Sequence, residues 1–177
     1  MSSAVLFREV QQFRQWWLWL LIAPGPVMIW VRTLRHLELE GSPRLSLPQI
    51  VSWLLGGIAL PALLYSIRLV TEVRSDGLYL RFFPFHLSYQ RFPIDGIRSY
   101  EAITYSPIRE YGGWGIRYGW NGKAYNVSGN QGIQLELREG RRVLIGTQNP
   151  PQFLAALQSL ETTLPSSTAG GGRASPP

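Results

Sequence analysis

The sequence predicts an α+β membrane protein: an N-terminal two-helix transmembrane hairpin, then an antiparallel β-sandwich or barrel capped by a C-terminal α-helix. Three observations predict it. No residue carries a charge from Gln15 to Val31, nor from Leu45 to Ile67. Beyond Arg68 the apolar residues recur with period two, the signature of half-buried strands. Near the C-terminus Phe153, Leu154, Leu157 and Leu160 fall at helical spacing. The implied units are a helical segment over 1–67, a β domain over 68–163 and a Ser/Gly/Pro-rich tail over 164–177 of a composition that favours disorder.

Of the two apolar runs, the second is the cleaner span. Its 23 uncharged residues reach about 34 Å as helix, enough for a hydrocarbon core of about 30 Å. Pro61 inside it predicts a kink near Leu60, and Gly56-Gly57 is a patch where another helix can approach closely. The first run is 17 residues, and Pro24-Gly25-Pro26 interrupts it. With Trp16, Trp17, Trp19 and Trp30 near its ends, where an interfacial aromatic belt would lie, it predicts a kinked span over about 15–33 to precede the span over 47–67. A re-entrant helix is the alternative. Val5, Leu6, Val10 and Phe13 upstream suit an amphipathic extension of this helix along the surface. No A-x-A-like cleavage site follows the first run, so it reads as retained. Arg32 to Arg44, with Arg35, His36, Glu38 and Glu40, forms the polar loop between spans. The terminal side carries Arg8, Arg14, Arg68, Arg74 and Arg81 against Arg32, Arg35 and Arg44, so positive residues favour both termini in the cytoplasm.

In the β domain, Leu78, Leu80 and Phe82 alternate with Tyr79, Arg81 and Phe83 after a Ser75-Asp76-Gly77 turn. Leu87–Phe92 and Arg98–Tyr105 follow as strands. Asn121-Gly122 marks a tight hairpin, and Ile133, Leu135 and Leu137 mark another half-buried strand. Asn149-Pro150-Pro151 opens the closing helix.

The chain has 177 residues and a formal charge of +6, almost all of it arginine. Such a balance suits nucleic acid or an anionic membrane face. Apolar spans and the lack of a basic run favour the membrane and argue against nucleic acid. With no cysteine, thiol chemistry and disulfides are excluded. His36 and His86, the two histidines, lack metal-ligand spacing, so neither a metal nor another cofactor is expected.

Several segments carry a resemblance: Phe7-Arg8-Glu9-Val10-Gln11 through Trp16-Trp17-Leu18-Trp19, Gly113–Arg117, Ala124–Asn130, Gly132–Leu137 and Leu144–Pro150. In these the chain resembles bacterial pleckstrin-homology-like proteins, in particular small membrane proteins with a helical hairpin ahead of one such domain. The resemblance implies a β-sandwich closed by a helix and a non-catalytic interaction module in the bacterial inner membrane. It implies no catalytic residue.

The sharpest local feature is the Gly- and aromatic-rich stretch Tyr111–Gly132. There Arg109, Arg117 and Lys123 beside Trp114 and Trp120 make a candidate groove, in which the cations grip a phosphate or carboxylate while rings stack. Arg141 and Arg142 around the Glu139-Gly140 turn are candidates for anionic headgroups. The bland reading gives the glycines to turns and the rings to the core. The expected partner is therefore a protein or an anionic lipid headgroup. The alternatives are a structural subunit packing through Gly56 and Gly57, and an enzyme acting on lipid.

Overall fold

The structure, a computed structural model, describes residues 4–14, 16–39 and 45–163. The expected disordered tail, and Glu40 and Arg44 of the expected loop, lie outside the described residues. The protein is α+β, with two sheets and a C-terminal helix.

The first sheet has the order β1-β2-β3-β4, formed by Val5–Gln12 (β1), Arg68–Arg74 (β2), Gly77–Phe83 (β3) and Gln90–Phe92 (β4). The second has the order β5-β8-β9-β7-β6. Its strands are Ile97–Thr104 (β5), Gly115–Gly119 (β6), Gly122–Asn126 (β7), Gln131–Leu137 (β8) and Arg142–Gly146 (β9). This sheet is mixed, not wholly antiparallel, because β7 and β9 run parallel, pairing Lys123 with Val143 and Tyr125 with Ile145. The core lies between the sheets and under the C-terminal helix Pro150–Thr163. Leu69, Val73, Leu78, Leu80, Phe82, Ile133, Leu135 and Ile145 meet Phe153, Leu157 and Leu160 there.

Within the β domain three further expectations need correction. Val5–Gln12 is no surface helix. It is a strand that pairs antiparallel with β2, Val10 opposite Val70 and Gln12 opposite Arg68. Its alternation is masked by exposed Val5, Leu6 and Val10, and only partners 56 to 69 positions away in sequence fix it as β. The chain thus begins in the β domain, leaves it for the helices, and re-enters at the neighbouring strand. β1 also ties the two sheets together. The Gln11 side-chain amide donates to the Gly146 carbonyl (2.7 Å), Glu9 accepts from Thr147 Oγ1 and from the Gln148 N–H, and Phe7 stacks on Phe153 at 5.1 Å. Second, strand structure in Leu87–Phe92 is confined to Gln90–Phe92. Third, a short helix, Pro107–Tyr111, stands where Pro107 was expected only to end a strand.

The helical part begins with Trp16–Ile22 (α1) and Pro24–Leu39 (α2), which are bent by 41° at the Pro-Gly-Pro segment. α2 continues through Arg32, Arg35, His36 and Glu38, residues expected in the loop. Leu47–Ser66 (α3) is one helix of 20 residues, long and apolar enough to cross a membrane. Ahead of Pro61, where a kink was expected, Trp53–Ala59 widens into a π-helical stretch. The cause is local. Proline has no N–H for the carbonyl four residues back, which belongs to Gly57. The indole of Trp30, on α2, donates to that carbonyl at 3.3 Å, while the Leu60 N–H reaches Leu55. Gly56 and Gly57 do serve close helix approach, and the neighbour is α2 of the same chain. A Cβ on Gly56 would lie 2.6 Å from Ile29 Cδ1, and one on Gly57 3.3 Å from Trp30 Nε1. Trp30 and Trp53 meet edge-on at 5.0 Å.

Candidate functional site

One recess on the β domain is an open groove of about 910 Å³. Its walls come from the β6–β7 hairpin, the start of β9 with the turn before it, and β4 of the other sheet. Trp120, Lys123, Arg141 and Arg142 line it together with Arg91, Phe92 and Tyr118. Its floor includes Tyr125, which is buried.

Local rules explain how these side chains arrive. Gly119 pairs with Gly122, so Trp120 and Asn121 form a two-residue turn. This turn throws Trp120 outward, 98% exposed. Gly122 has φ +101°, and a Cβ there would strike the Arg142 carbonyl oxygen at 2.2 Å. Only glycine lets β7 and β9 approach this closely. The parallel pairing then sets Lys123 beside Val143 and brings Arg142 to the same end of the sheet.

The electrostatics are one-sided. Among the described residues no carboxylate lines the groove, whereas Arg91, Lys123, Arg141 and Arg142 do. Arg91 is ion-paired with Asp76 at 3.3 Å, and Arg141 with Glu139. Arg142 has no ion pair among the described residues. Lys123 Nζ lies 5.4 Å from the Tyr118 ring centre and 4.8 Å from that of Tyr125. Partial burial works against its charge, but Tyr125 and Tyr118 outweigh that and hold its pKa above the usual lysine value. Behind the groove, the Tyr125 hydroxyl donates to Gln90 Oε1 (2.8 Å), and the other end of that amide lies 3.1 Å from His86 Nε2. Since amide nitrogen can only donate, His86 Nε2 accepts and the imidazole is neutral. Its pKa is pushed down by burial and then by the Lys123 charge. The arrangement can hold an extended anion against aromatic surface.

The candidate residues therefore divide. Trp120, Lys123, Arg141 and Arg142 come together. Trp114, just ahead of β6, and Arg117, in its middle, line a separate recess beside the helices, and the Trp114 ring lies 5.8 Å from that of Trp17. Arg109 is exposed on the short helix and does not line the groove. Sequence reading missed Arg91 and Phe92, which reach the groove from the first sheet. No signal near them in the chain points there. Also missed was a ladder of Arg and Tyr on the first sheet. Arg74 lies over the rings of Tyr79 and Tyr89 at 4.5 and 5.2 Å, and Arg81 over Tyr89 at 4.8 Å. Glu72, its side chain 5% exposed, is paired with Arg74 and Arg8. Burial alone would raise its pKa, but hydrogen bonds from Arg74 and Tyr89 and the nearby cations outweigh that and lower it. Among the described residues no group of three or more His, Cys, Asp or Glu side chains could hold a metal ion.

Fold and site together define an α+β protein with an apolar helical segment and a cationic, aromatic groove on its β domain. The chain belongs to DUF6141, a family of unknown function, whose model matches residues 2–163. Neither a curated protein nor a solved structure matches it.

Proposed function

We propose that the protein is a membrane-anchored, non-catalytic interaction module that holds an acidic segment of a protein partner in the groove of its β domain. The observation that carries this is the groove's chemistry: four cations and exposed aromatic rings with no carboxylate in the lining among the described residues. The β domain is read as pleckstrin-homology-like, on the strength of two packed sheets closed by a C-terminal helix.

Three features support the anchor. No residue in the apolar window of α3 is buried within the protein, although α2 covers part of one face. Such a surface needs lipid or a partner. Gln12 lies opposite Arg68, so the helical segment leaves and rejoins the sheet at adjacent points. If α3 crosses a bilayer while the β domain stays on one side, the chain must cross once more, and α1 with α2 is the segment available. Trp30, Gly56 and Gly57 pack these helices against each other, which favours this paired arrangement over a subunit that spends its glycine face on a foreign span. The excess of positive residues on the terminal side favours both termini in the cytoplasm, and the membrane is a bacterial inner membrane in this reading.

The groove lies at the Gly119 end of β6, and the helix base at the Gly115 end. The four residue steps between them span roughly 13 Å at about 3.3 Å each. A groove set back from the helix base favours an aqueous partner over headgroups of the same bilayer. The test uses the full chain in lipid nanodiscs and a fluorescent Glu-rich peptide as probe. Binding that weakens with salt, and weakens about fivefold for each of Lys123→Gln and Arg142→Gln, is the expected result. Equal binding by wild type and the double variant would remove the groove from the function.

A further inference from the structure

A second, mostly apolar recess of about 440 Å³ lies where the helices rejoin the β domain. Phe13, just ahead of α1, and Leu64, in the last turn of α3, form one wall. Phe85, Trp114 and Ile116 face them. Among the described residues Arg117 is the one charged side chain in the lining, and no carboxylate joins it. Its Nε donates to the Trp114 carbonyl at 3.1 Å. That bond fixes the guanidinium and leaves its terminal nitrogens without an ion pair among the described residues. The adjoining β3–β4 loop shows water two large apolar side chains, Phe85 at 63% and Leu87 at 79% exposure. Trp17 of α1 meets Trp114 at the same level.

We infer that this recess and the Phe85–Leu87 loop sit in the bilayer interface and hold one anionic phospholipid, its phosphate on Arg117 and an acyl chain along Phe85, Trp114 and Ile116. The inference rests on the membrane-anchor reading, since it takes the end of α3 as the level where hydrocarbon gives way to headgroups. At that level exposed phenylalanine, leucine and indole rings are favourable, and an arginine finds phosphate. The charge complementarity and the continuity of the recess with the apolar surface of α3 select a phospholipid as occupant. A second contact of this kind stops the β domain from swinging on its two connections and turns the distal groove toward water.

The absence of cysteine allows a direct test. Leu87→Cys, Trp120→Cys and Leu55→Cys each give the full chain a single site for a nitroxide label, all three at exposed side chains. The labelled proteins are placed in vesicles of phosphatidylcholine with phosphatidylglycerol. Collisions with oxygen report lipid, and collisions with a water-soluble nickel chelate report water. The label at 87 should show the lipid signature with that at 55, while the label at 120 shows the aqueous one. An aqueous label at 87 with a lipid-exposed label at 55 overturns the inference and leaves the anchor standing. Aqueous labels at both overturn the two together. For the headgroup, spin-labelled phosphatidylglycerol is compared with spin-labelled phosphatidylcholine on the unlabelled protein. Arg117→Gln should reduce the preference for the anionic lipid about fivefold, and Arg117→Lys should keep most of it. A preference unchanged in Arg117→Gln would free the phosphate from Arg117 and overturn its assignment.

Discussion

At the scale of single residues, glycine and buried polar groups decide most. Gly122 combines a positive φ with a backbone oxygen where a Cβ would go. Gly122→Ala should therefore cost about 1–3 kcal/mol and weaken acidic-peptide binding along with stability, because relief of the clash must push β9 and Arg142 away. A thermal melt and a binding isotherm on the same sample check both. Two groups give the fold a pH dependence with separate windows. His86 is neutral and has a depressed pKa in the folded protein, so the unfolded chain binds more protons. Stability is then full above the usual 6.5 and falls as pH drops through the folded value. Glu72 also has a lowered pKa, with its loss starting only below the usual 4.5. Urea melts should thus show stability falling between pH 7 and 5 in the wild type. His86→Gln should flatten that interval, and the further fall at lower pH should persist.

Among the elements, α3 shows how a sequence rule can name the right residue and leave the form of the disturbance open. Pro61 and Gly56-Gly57 were legible as a disturbance and a packing face. Their combination was not, because the freed Gly57 carbonyl is satisfied by an indole from another helix. Trp30→Phe keeps the ring against Trp53 but removes that donor. It should destabilise the helix pair by about 0.5–1.5 kcal/mol, whereas Trp30→Tyr offers no donor at the same place and should not rescue it. Unfolding in detergent followed by helical circular dichroism measures the difference. β1 teaches a related lesson. Phe7, Glu9 and Gln11 belong to a motif quoted from the sequence, as do Gly146, Thr147 and Gln148. They prove to be hydrogen-bonded or packed across the two sheets.

For the whole molecule, the consequence is that residues 68–163 are not a complete domain. They lack the strand that covers β2 and clasps the second sheet. That fragment should fail to give dispersed amide resonances. A chain in which Phe13 is joined to Ile67 through a short Asn-Gly turn, with the helices removed, should fold and stay soluble, since Gln12 and Arg68 are already opposite each other. Folding of 68–163 alone would show that β1 is dispensable.

The sequence by itself determined the apolar runs, the break at Pro24-Gly25-Pro26, the alternation of β3 and β8, and the closing helix. Each is written in residues a few positions apart, within reach of local sterics and periodic burial. Tertiary structure alone decided that Val5–Gln12 is a strand, that β7 runs parallel to β9, and that Arg117 and Lys123 serve different recesses. Those outcomes depend on which strands pair and on which end of a sheet a residue falls. Strand pairing is settled by the burial of a shared core from segments far apart in the chain, and no short stretch carries that information.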